Sequence, residues 1–178
     1  MDLTTIHLQS AEPGQHYAGI ARLMSSQETE PTTQESLMEW YSKRQERGIR
    51  MNVALNIEEE VCGFICIYRD NLNIEGYYGM YLIVEQAFRR QGLGSFLCEQ
   101  LLTQAKEMGA LTLRTRVRDT SEEGIRFAVK RGFVEKKHSI EMKLDLQVWD
   151  DQRFNGMLKS LTSQGFRFTN MGELGDTQ

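Results

Sequence analysis

The sequence predicts an α/β fold, and three observations carry this prediction. Residues 78–84 form an apolar run typical of a buried strand, and apolar residues recur at helical spacing from Leu93 to Met108. Strand-like and helix-like patterns also precede and follow this junction. The chain of 178 residues is long enough for one domain with a substantial core, and the remainder is short for a second domain.

Each element follows from its residue pattern. Alternation predicts a first strand at 4–9, and the spacing of Ile20, Leu23 and Met24 predicts a helix at 15–27. A second helix is predicted at 33–47, with Thr32 as its cap, because a threonine hydroxyl accepts hydrogen bonds from the first amides of a helix. The later elements are strands at 50–57, 61–69, 78–84 and 111–118, the long helix from residue 93, a helix at 121–131, and strands at 133–135 and 137–146.

The last part of the chain predicts two further elements. Residues 151–164 place Phe154, Met157, Leu158 and Leu161 on one side of a helix. Residues 165–169 then predict a strand that follows a glycine stop.

Composition excludes several classes of protein. A net charge of −4 argues against a nucleic-acid surface, since such domains carry a positive excess. No stretch approaches the roughly 18 apolar residues of a membrane span, and the N-terminus lacks a basic start followed by an apolar run. We therefore expect a cytoplasmic protein that binds neither nucleic acid nor membrane.

The cysteines and histidines predict neither a disulfide framework nor a metal site. Cys62 and Cys66 lie four residues apart in a predicted strand, which separates their Cα atoms by about 13 Å and puts them beyond disulfide reach. We interpret both, and Cys98 on the long helix, as buried small hydrophobic residues. The histidines are scattered without the spacing of metal ligands.

The junction between the strand and the long helix predicts a phosphate site. Gly92 and Gly94 fall on the first turn of the helix, where amide hydrogens lack intrahelical partners and the helix dipole is positive. Glycine lets a bulky diphosphate approach the backbone. Arg89 and Arg90 add positive charge.

Three types of phosphate site must be distinguished before this turn can be assigned. A P-loop needs Gly-x-x-x-x-Gly-Lys followed by Ser or Thr, and the chain has no such run. A dinucleotide fold needs a third glycine where Leu97 stands and an acidic residue after the next strand, which here is rich in arginine. The third type is Arg-x-x-Gly-x-Gly between a strand and a helix, and residues 89–94 have this form.

That form is found in the Gcn5-related N-acetyltransferases (GNAT), and this sequence resembles that family. Residues 124–133 are similar to the family's second signature, a short helix ended by a glycine, here Gly132, which suits a left-handed position. The resemblance is strongest over residues 51–146. It implies an α/β (α+β) fold whose mixed central sheet is splayed into a V between its fourth and fifth strands and flanked by helices.

The resemblance also implies how the chain divides. An acetyltransferase domain would span residues 1–146, followed by an extension at 147–178. The extension resembles the entry to a second repeat in tandem members of the family. Two interpretations remain: the chain is the N-terminal half of a tandem protein, or the extension packs on the single domain or on a partner subunit, as in a homodimer.

The resemblance implies a coenzyme A site at the opening of the V. Backbone groups of Leu82, Ile83 and Val84 would pair with the pantetheine amides, next to the strand at 111–118. The amides that would hold the diphosphate are those of Arg89, Arg90, Gln91, Gly92, Leu93, Gly94 and Ser95.

The residues expected for catalysis match the family less well. Ala128 stands where the family often has a tyrosine acid, and Tyr78 stands where it often has a carboxylate. Our candidates are therefore Tyr78 and the nearest acid, Glu75, with Tyr77 and Tyr81 as substitutes. An aromatic residue in a strand is more often part of a core or of a pocket wall.

Two charged groups are further candidates for contact with a ligand. Arg114, Arg116 and Arg118 would project from one face of their strand, either towards a coenzyme phosphate or acidic substrate or as a solvated face, which we favour. Glu28 and Glu30 lie in the loop between the first two helices, which in this family borders the acceptor site.

The leading hypothesis is an acetyl-CoA-dependent N-acetyltransferase that transfers the acetyl group directly to an amine of a small molecule or peptide. The alternative is a catalytically silent module that binds acyl-CoA and supports a partner or a missing second domain. A third hypothesis, NAD binding, predicts indifference to CoA. The segments that would form the acceptor pocket carry no motif.

Overall fold

A computed structural model describes residues 5–27, 30–46, 48–69, 74–140, 142–150, 152–154, 156–170 and 172–175. It separates the chain into two units, Met1–Arg131 and Gly132–Gln178. Each unit is described by itself. The domain limits expected from the sequence, 1–146 and 147–178, stay a prediction.

The first unit alternates strands and helices. Its elements are β1 (His7–Ser10), α1 (Pro13–Ser25), α2 (Gln34–Gln45), β2 (Ile49–Leu55), β3 (Val61–Arg69), β4 (Tyr77–Val84), a 3₁₀ turn (Gln86–Phe88), α3 (Leu93–Glu107), β5 (Thr112–Arg114) and α4 (Glu122–Val129). The strands pair in chain order from β1 to β5. Neighbours from β1 to β4 are antiparallel, whereas β4 and β5 are parallel. The predicted mixed sheet flanked by helices is confirmed.

Local capping sets where the helices begin. Thr33 caps the N-terminus of α2. Its hydroxyl accepts a hydrogen bond from the Ser36 amide in a reciprocal capping box. Our prediction of Thr32 as this cap was wrong, because the Thr32 backbone is bonded to the Ser25 hydroxyl at the end of α1. In α4 the Ser121 hydroxyl accepts from the Gly124 amide.

The sheet buries apolar residues on both faces. On one face, Tyr17 and Ile20 of α1 and Leu37 of α2 pack on side chains from β2 and β3. On the other face α3 lies so close that a Cβ at Gly63 would come within 2.7 Å of Leu97 Cδ1. Cys62, Cys66 and Cys98 are free and buried, as predicted.

The sheet opens beside β4. The predicted strand at 111–118 is too long, because β5 ends at Arg114. Its pairing with β4 covers only Tyr77–Gly79 against Thr112–Arg114. From Met80 to Val84, β4 has a strand neighbour on the β3 side only, within the residues that the structure describes. This confirms the predicted V between the fourth and fifth strands, and we call this side of Met80–Val84 the open edge.

The second unit has little regular structure in its described residues. It contains a 3₁₀ turn (Gln152–Phe154) and one helix, α5 (Met157–Ser163), which is shorter than the predicted helix at 151–164. The predicted strands at 133–135, 137–146 and 165–169 are wrong for the described residues. Alternation predicts a face to be buried, but a strand also needs a hydrogen-bonding partner, and here Ile140, Met142 and Leu146 are exposed.

Within the described ranges, no helix combines the length and the apolar character that crossing a membrane requires.

Candidate functional site

The turn between β4 and α3 presents a row of amides. Arg90 has a φ of 60° and Gly92 a φ of 94°, so the backbone is left-handed at both positions. The Arg89 amide donates to the Gln86 carbonyl and the Ser95 amide donates to the Gly92 carbonyl. Within the described part of the chain, none of the backbone amides of residues 90–94 donates a hydrogen bond. Free amides at the positive end of a helix are suited to an anion, and we call these five amides of α3 and its preceding turn the candidate anion site, or anion site.

Close packing favours glycine at residue 94, in addition to the access that glycine gives to its own amide. A Cβ at this position would lie 3.1 Å from Cε2 of Phe127 on α4 and 3.8 Å from Cγ2 of Val84. The first turn of α3 is therefore held between the end of β4 and the Phe127 ring. A large side chain at residue 94 would have to enter the space in front of the free amides.

Arg89 and Arg90 flank the anion site in different ways. Arg89 is anchored, because its Nε donates to the Val84 carbonyl at 2.9 Å. Arg90 extends into solvent, with 79% of its side chain exposed. The Glu123 carboxylate on α4 lies 3.7 Å from Arg89 Nη1 and 3.6 Å from Arg90 Nη1. It therefore neutralises part of the charge that an anion would otherwise meet.

A third arginine at this turn was missed by sequence reasoning. Arg131 Nη2 donates to the Ser95 hydroxyl at 2.8 Å, and Nη1 donates to the Phe127 carbonyl at 3.2 Å. The guanidinium carbon lies 3.4 Å from the centre of the Phe127 ring. The signal that was available is the four-residue spacing of Phe127 and Arg131, which puts both on one face of a helix.

The open edge of β4 offers backbone groups next to the turn. The Glu85 amide donates to the Cys62 carbonyl at 2.9 Å, which continues the register of Gly63 with Val84. Because hydrogen-bonded and non-bonded pairs alternate in an antiparallel ladder, Ile83 directs its backbone groups at β3. Leu82 and Val84 direct theirs at the open edge. Of the three predicted residues, these two direct backbone groups at the open edge, where the Val84 carbonyl already accepts from Arg89 Nε.

A splayed fourth strand that leads through five free amides into a helix is the arrangement implied by the resemblance. A sequence model of the Acetyltransferase (GNAT) family matches residues 16–133. The chain belongs to this family of acetyltransferases. It is therefore an N-acetyltransferase that uses acetyl-CoA.

Three relatives illustrate the similarity of this GNAT protein to known ones. YwnH of Bacillus subtilis (strain 168), provisionally named a phosphinothricin acetyltransferase, is 26% identical over 125 residues, which are 65% of this chain and 72% of YwnH. Ard1 from Thermoplasma volcanium is 25% identical with a TM-score of 0.63, covering 75% of this chain and 85% of Ard1. yncA from Salmonella typhimurium, solved with its cofactor acetyl-CoA, is 18% identical with a TM-score of 0.63, covering 73% and 80%.

The two predicted catalytic residues of the acetyltransferase lie away from the open edge. Tyr78 is 3% exposed, and its hydroxyl donates to the Met108 carbonyl at 2.7 Å and accepts from Arg69 Nε at 3.2 Å. Met108 follows the C-terminal end of α3, about 22 Å from the phosphate turn at its other end. Glu75 is exposed in the turn before β4. The geometry gives no support to either residue as the acid, and it assigns Tyr78 a structural role.

Tyr81 and Tyr77 occupy different environments. Tyr81 lies on the open-edge part of β4, half-buried, with its ring stacked at 5.7 Å on Tyr68. Burial, and secondarily Tyr81, raise the pKa of Tyr68 to about 12. Tyr68 therefore stays protonated at neutral pH and is no base. Tyr77 is 39% exposed at the start of β4, outside the open edge.

The structure describes all but one of the charged residues that we predicted as ligand contacts. Arg114 ends β5, and Arg116 and Arg118 follow it outside any strand, so the prediction that strand alternation aligns all three was wrong. All three are exposed. Glu30 is exposed as well, and Glu28 lies outside the described residues.

Proposed function

We propose that this acetyltransferase moves the acetyl group of acetyl-CoA directly to an amine of a small molecule or peptide bound beside the open edge of β4. One observation carries the proposal: five consecutive free amides, residues 90–94, adjoin a strand edge that has no partner among the described residues. The first feature suits a diphosphate and the second suits an extended amide-bearing chain. Coenzyme A contains both.

The donor set fits the coenzyme. Amides at a helix N-terminus bind phosphate oxygens, and Arg89 and Arg90 supply the charge. We assign the diphosphate to the amides of residues 90–94, flanked by those of Arg89 and Ser95. We assign the pantetheine amides to the backbone of Leu82 and Val84, as when a strand is added to a sheet edge.

The chain contributes mainly by positioning. As a thioester, acetyl-CoA supplies an acyl carbon open to attack by an amine and a thiolate leaving group. The Leu82 amide faces the open edge and is our candidate donor to the acetyl oxygen. Holding an amine against a thioester in attack geometry supplies about 7 kcal/mol or more of the barrier. With Ala128 at the usual tyrosine position, we assign transfer to this positioning rather than to a named acid.

Acceptor identity is proposed from one relative. Because YwnH is provisionally named a phosphinothricin acetyltransferase, amino-acid-like amines are the first acceptors to test. A peptide amine is the second group.

Binding is tested by calorimetric titration with acetyl-CoA, CoA and NAD at one salt concentration. We expect saturable binding of acetyl-CoA and CoA and none of NAD. Gly94→Glu should lower acetyl-CoA affinity at least about 100-fold, because the carboxylate enters the anion site. Gly14→Glu is the matched control, since Gly14 is likewise the second residue of a helix and has open space around it.

Turnover is tested by thiol release with phosphinothricin, the common amino acids and short peptides as acceptors. Release above the rate of acetyl-CoA hydrolysis supports direct transfer. Equal acetyl-CoA affinity of the two glutamate variants would refute the assigned phosphate site. Acetyl-CoA binding without thiol release for any amine tested would favour the alternative, a catalytically silent module that binds acyl-CoA.

A further inference from the structure

An arginine lies in an aromatic cluster on the α2 side of the sheet. The aromatic cluster consists of Trp40 on α2, Tyr68 on β3 and Tyr81 on β4, with Trp40 centred 5.2 Å from Tyr68 and 6.1 Å from Tyr81. The Arg44 guanidinium carbon lies 4.5 Å from the Trp40 ring centre and 5.7 Å from that of Tyr68. All four residues are half-buried, so each keeps part of its surface in contact with solvent.

The Arg44 guanidinium is poorly satisfied. Nη1 donates to the Trp40 carbonyl at 3.2 Å. Nε is covered and has no partner, and it is the only such buried side-chain nitrogen or oxygen among the described residues. No carboxylate of the described chain forms an ion pair with Arg44. A covered donor without an acceptor is unfavourable, and an anion that met Nε after the guanidinium turned would remove that penalty.

The aromatic cluster adjoins the start of the open edge. Gly79 is the last β4 residue that pairs with β5, and a Cβ there would lie only 2.3 Å from Tyr68 Cζ. The Tyr68 ring therefore lies directly over Gly79. Tyr81, two residues further along β4, is on the same face. Arg44 thus lies beside the aromatic cluster on the face of β4 that Tyr81 shares with the start of the open edge.

We propose that Arg44 binds a carboxylate of the amine acceptor, so that the preferred acceptor is an amino acid rather than its ester or amide. This inference rests on the proposed function and names its acceptor class. The edge formed by Nε and Nη2 matches a carboxylate in bidentate geometry. Because Nε is covered, binding turns the guanidinium on the Trp40 ring. Arg44 is thus a specificity residue, and Trp40 reports its occupancy.

The first experiment measures binding without turnover. The chain has two tryptophans, so Trp149→Phe leaves Trp40 as the fluorophore. The variant, saturated with CoA, is titrated with the twenty common L-amino acids and then with the methyl esters of those that respond. We expect a saturable change with at least one amino acid and a dissociation constant at least about tenfold higher for its ester. No saturable response with any amino acid would overturn the inference.

The second experiment tests Arg44 itself. In Arg44→Gln the acid-over-ester preference should disappear, with KM for the acid raised at least about tenfold and kcat changed less than about threefold. Arg44→Lys keeps the positive charge but lacks the paired N–H donors of a guanidinium, so it should show part of the acid-over-ester preference that Arg44→Gln loses. Lys43→Gln is the matched control, because Lys43 is an exposed cation next to Arg44 that pairs with Glu39. Its KM should stay at the wild-type value.

The outcomes separate the two proposals. Loss of acetyl-CoA binding or of all thiol release, with a normal Trp40 response to amino acids, would refute the proposed function and leave the carboxylate site standing. Thiol release with an acid-over-ester preference that persists in Arg44→Gln would refute the inference about Arg44 and leave the transferase. A wild-type protein that prefers the ester to the free amino acid would likewise refute the inference about Arg44.

Discussion

The two halves of the proposed site, at the two ends of the open edge of β4, are built from different parts of the chain. At the C-terminal end, the donors are main-chain amides between Arg90 and Gly94, set by a left-handed turn. At the other end, near Gly79, the groups are side chains brought from α2, β3 and β4. The first half depends on local backbone conformation, whereas the second depends on tertiary packing. Substitutions should therefore affect one end and spare the other.

At the Gly79 end, Gly79→Ala should have a large effect on both acceptor binding and stability. Its Cβ would overlap the Tyr68 ring at 2.3 Å, so Tyr68 must turn away and the aromatic cluster must rearrange. We expect acceptor KM to rise about tenfold and the free energy of unfolding to fall by about 1–3 kcal/mol. Acetyl-CoA affinity, measured by calorimetry, should stay within about twofold.

The control is Gly63→Ala on the other face of the sheet. Its Cβ would meet Leu97 at 2.7 Å and so imposes comparable strain next to α3. It should lower stability with no change in acceptor KM. If both variants changed acceptor KM equally, the two faces of the sheet would not act separately and the comparison would fail.

This division also explains what the sequence could predict. The phosphate turn was found because strand, glycines, arginines and helix start all lie within residues 84–95, where spacing alone determines geometry. Arg131 reaches Ser95 from 36 residues away, and the aromatic cluster draws on three elements. The spacing of Phe127 and Arg131 indicates a shared helix face but not the contact with Ser95, and the aromatic cluster has no local pattern. A binding site made of main-chain amides can therefore be predicted from a short stretch of sequence, whereas a site made of side chains from several elements can be found only once the fold is known.

Predictions that the structure does not support have the same origin. Alternation shows that neighbouring strand residues face opposite sides, but it does not say which side is the site. Position in β4 makes Tyr78 a candidate acid, which stays a prediction, but its hydroxyl points to the Met108 carbonyl at the end of α3. Likewise, the alternating residues at 137–146 predict a strand without supplying the partner that a strand requires.

Tyr78→Phe should separate stability from activity. The hydroxyl donates to the partly buried Met108 carbonyl and accepts from Arg69, so its loss leaves both groups without this partner. We expect the free energy of unfolding to fall by about 1–3 kcal/mol, measured by urea titration. The rate of thiol release at saturating substrates should stay within about twofold. A fall of 100-fold or more in kcat with normal stability would restore Tyr78 as the catalytic acid.

A smaller and opposite effect is expected at the phosphate end from Glu123→Gln. The Glu123 carboxylate lies within 4 Å of both Arg89 and Arg90, at 3.7 and 3.6 Å, and competes with an incoming phosphate. An exposed pair of this kind is worth about 0.2–1 kcal/mol, so acetyl-CoA affinity should rise up to about fivefold. Glu122→Gln, one residue away and paired with Arg126, is the control. Weaker binding in Glu123→Gln would mean that Glu123 orders the arginines instead of competing.

The smallest effect should come from Tyr68→Phe, which keeps the ring of the aromatic cluster and removes its ionisable group. Burial raises the Tyr68 pKa from 10.0 to about 12. The folded state thus favours the neutral phenol, so this contribution to stability is complete below pH 10 and is lost as the pH rises towards 12. Wild type should lose more stability than Tyr68→Phe between pH 9 and 11.5 in urea titrations, while their pH–rate profiles coincide below pH 9. An inflection near neutral pH that vanished in Tyr68→Phe would instead make Tyr68 a base, and the acceptor end would then supply proton transfer as well as recognition.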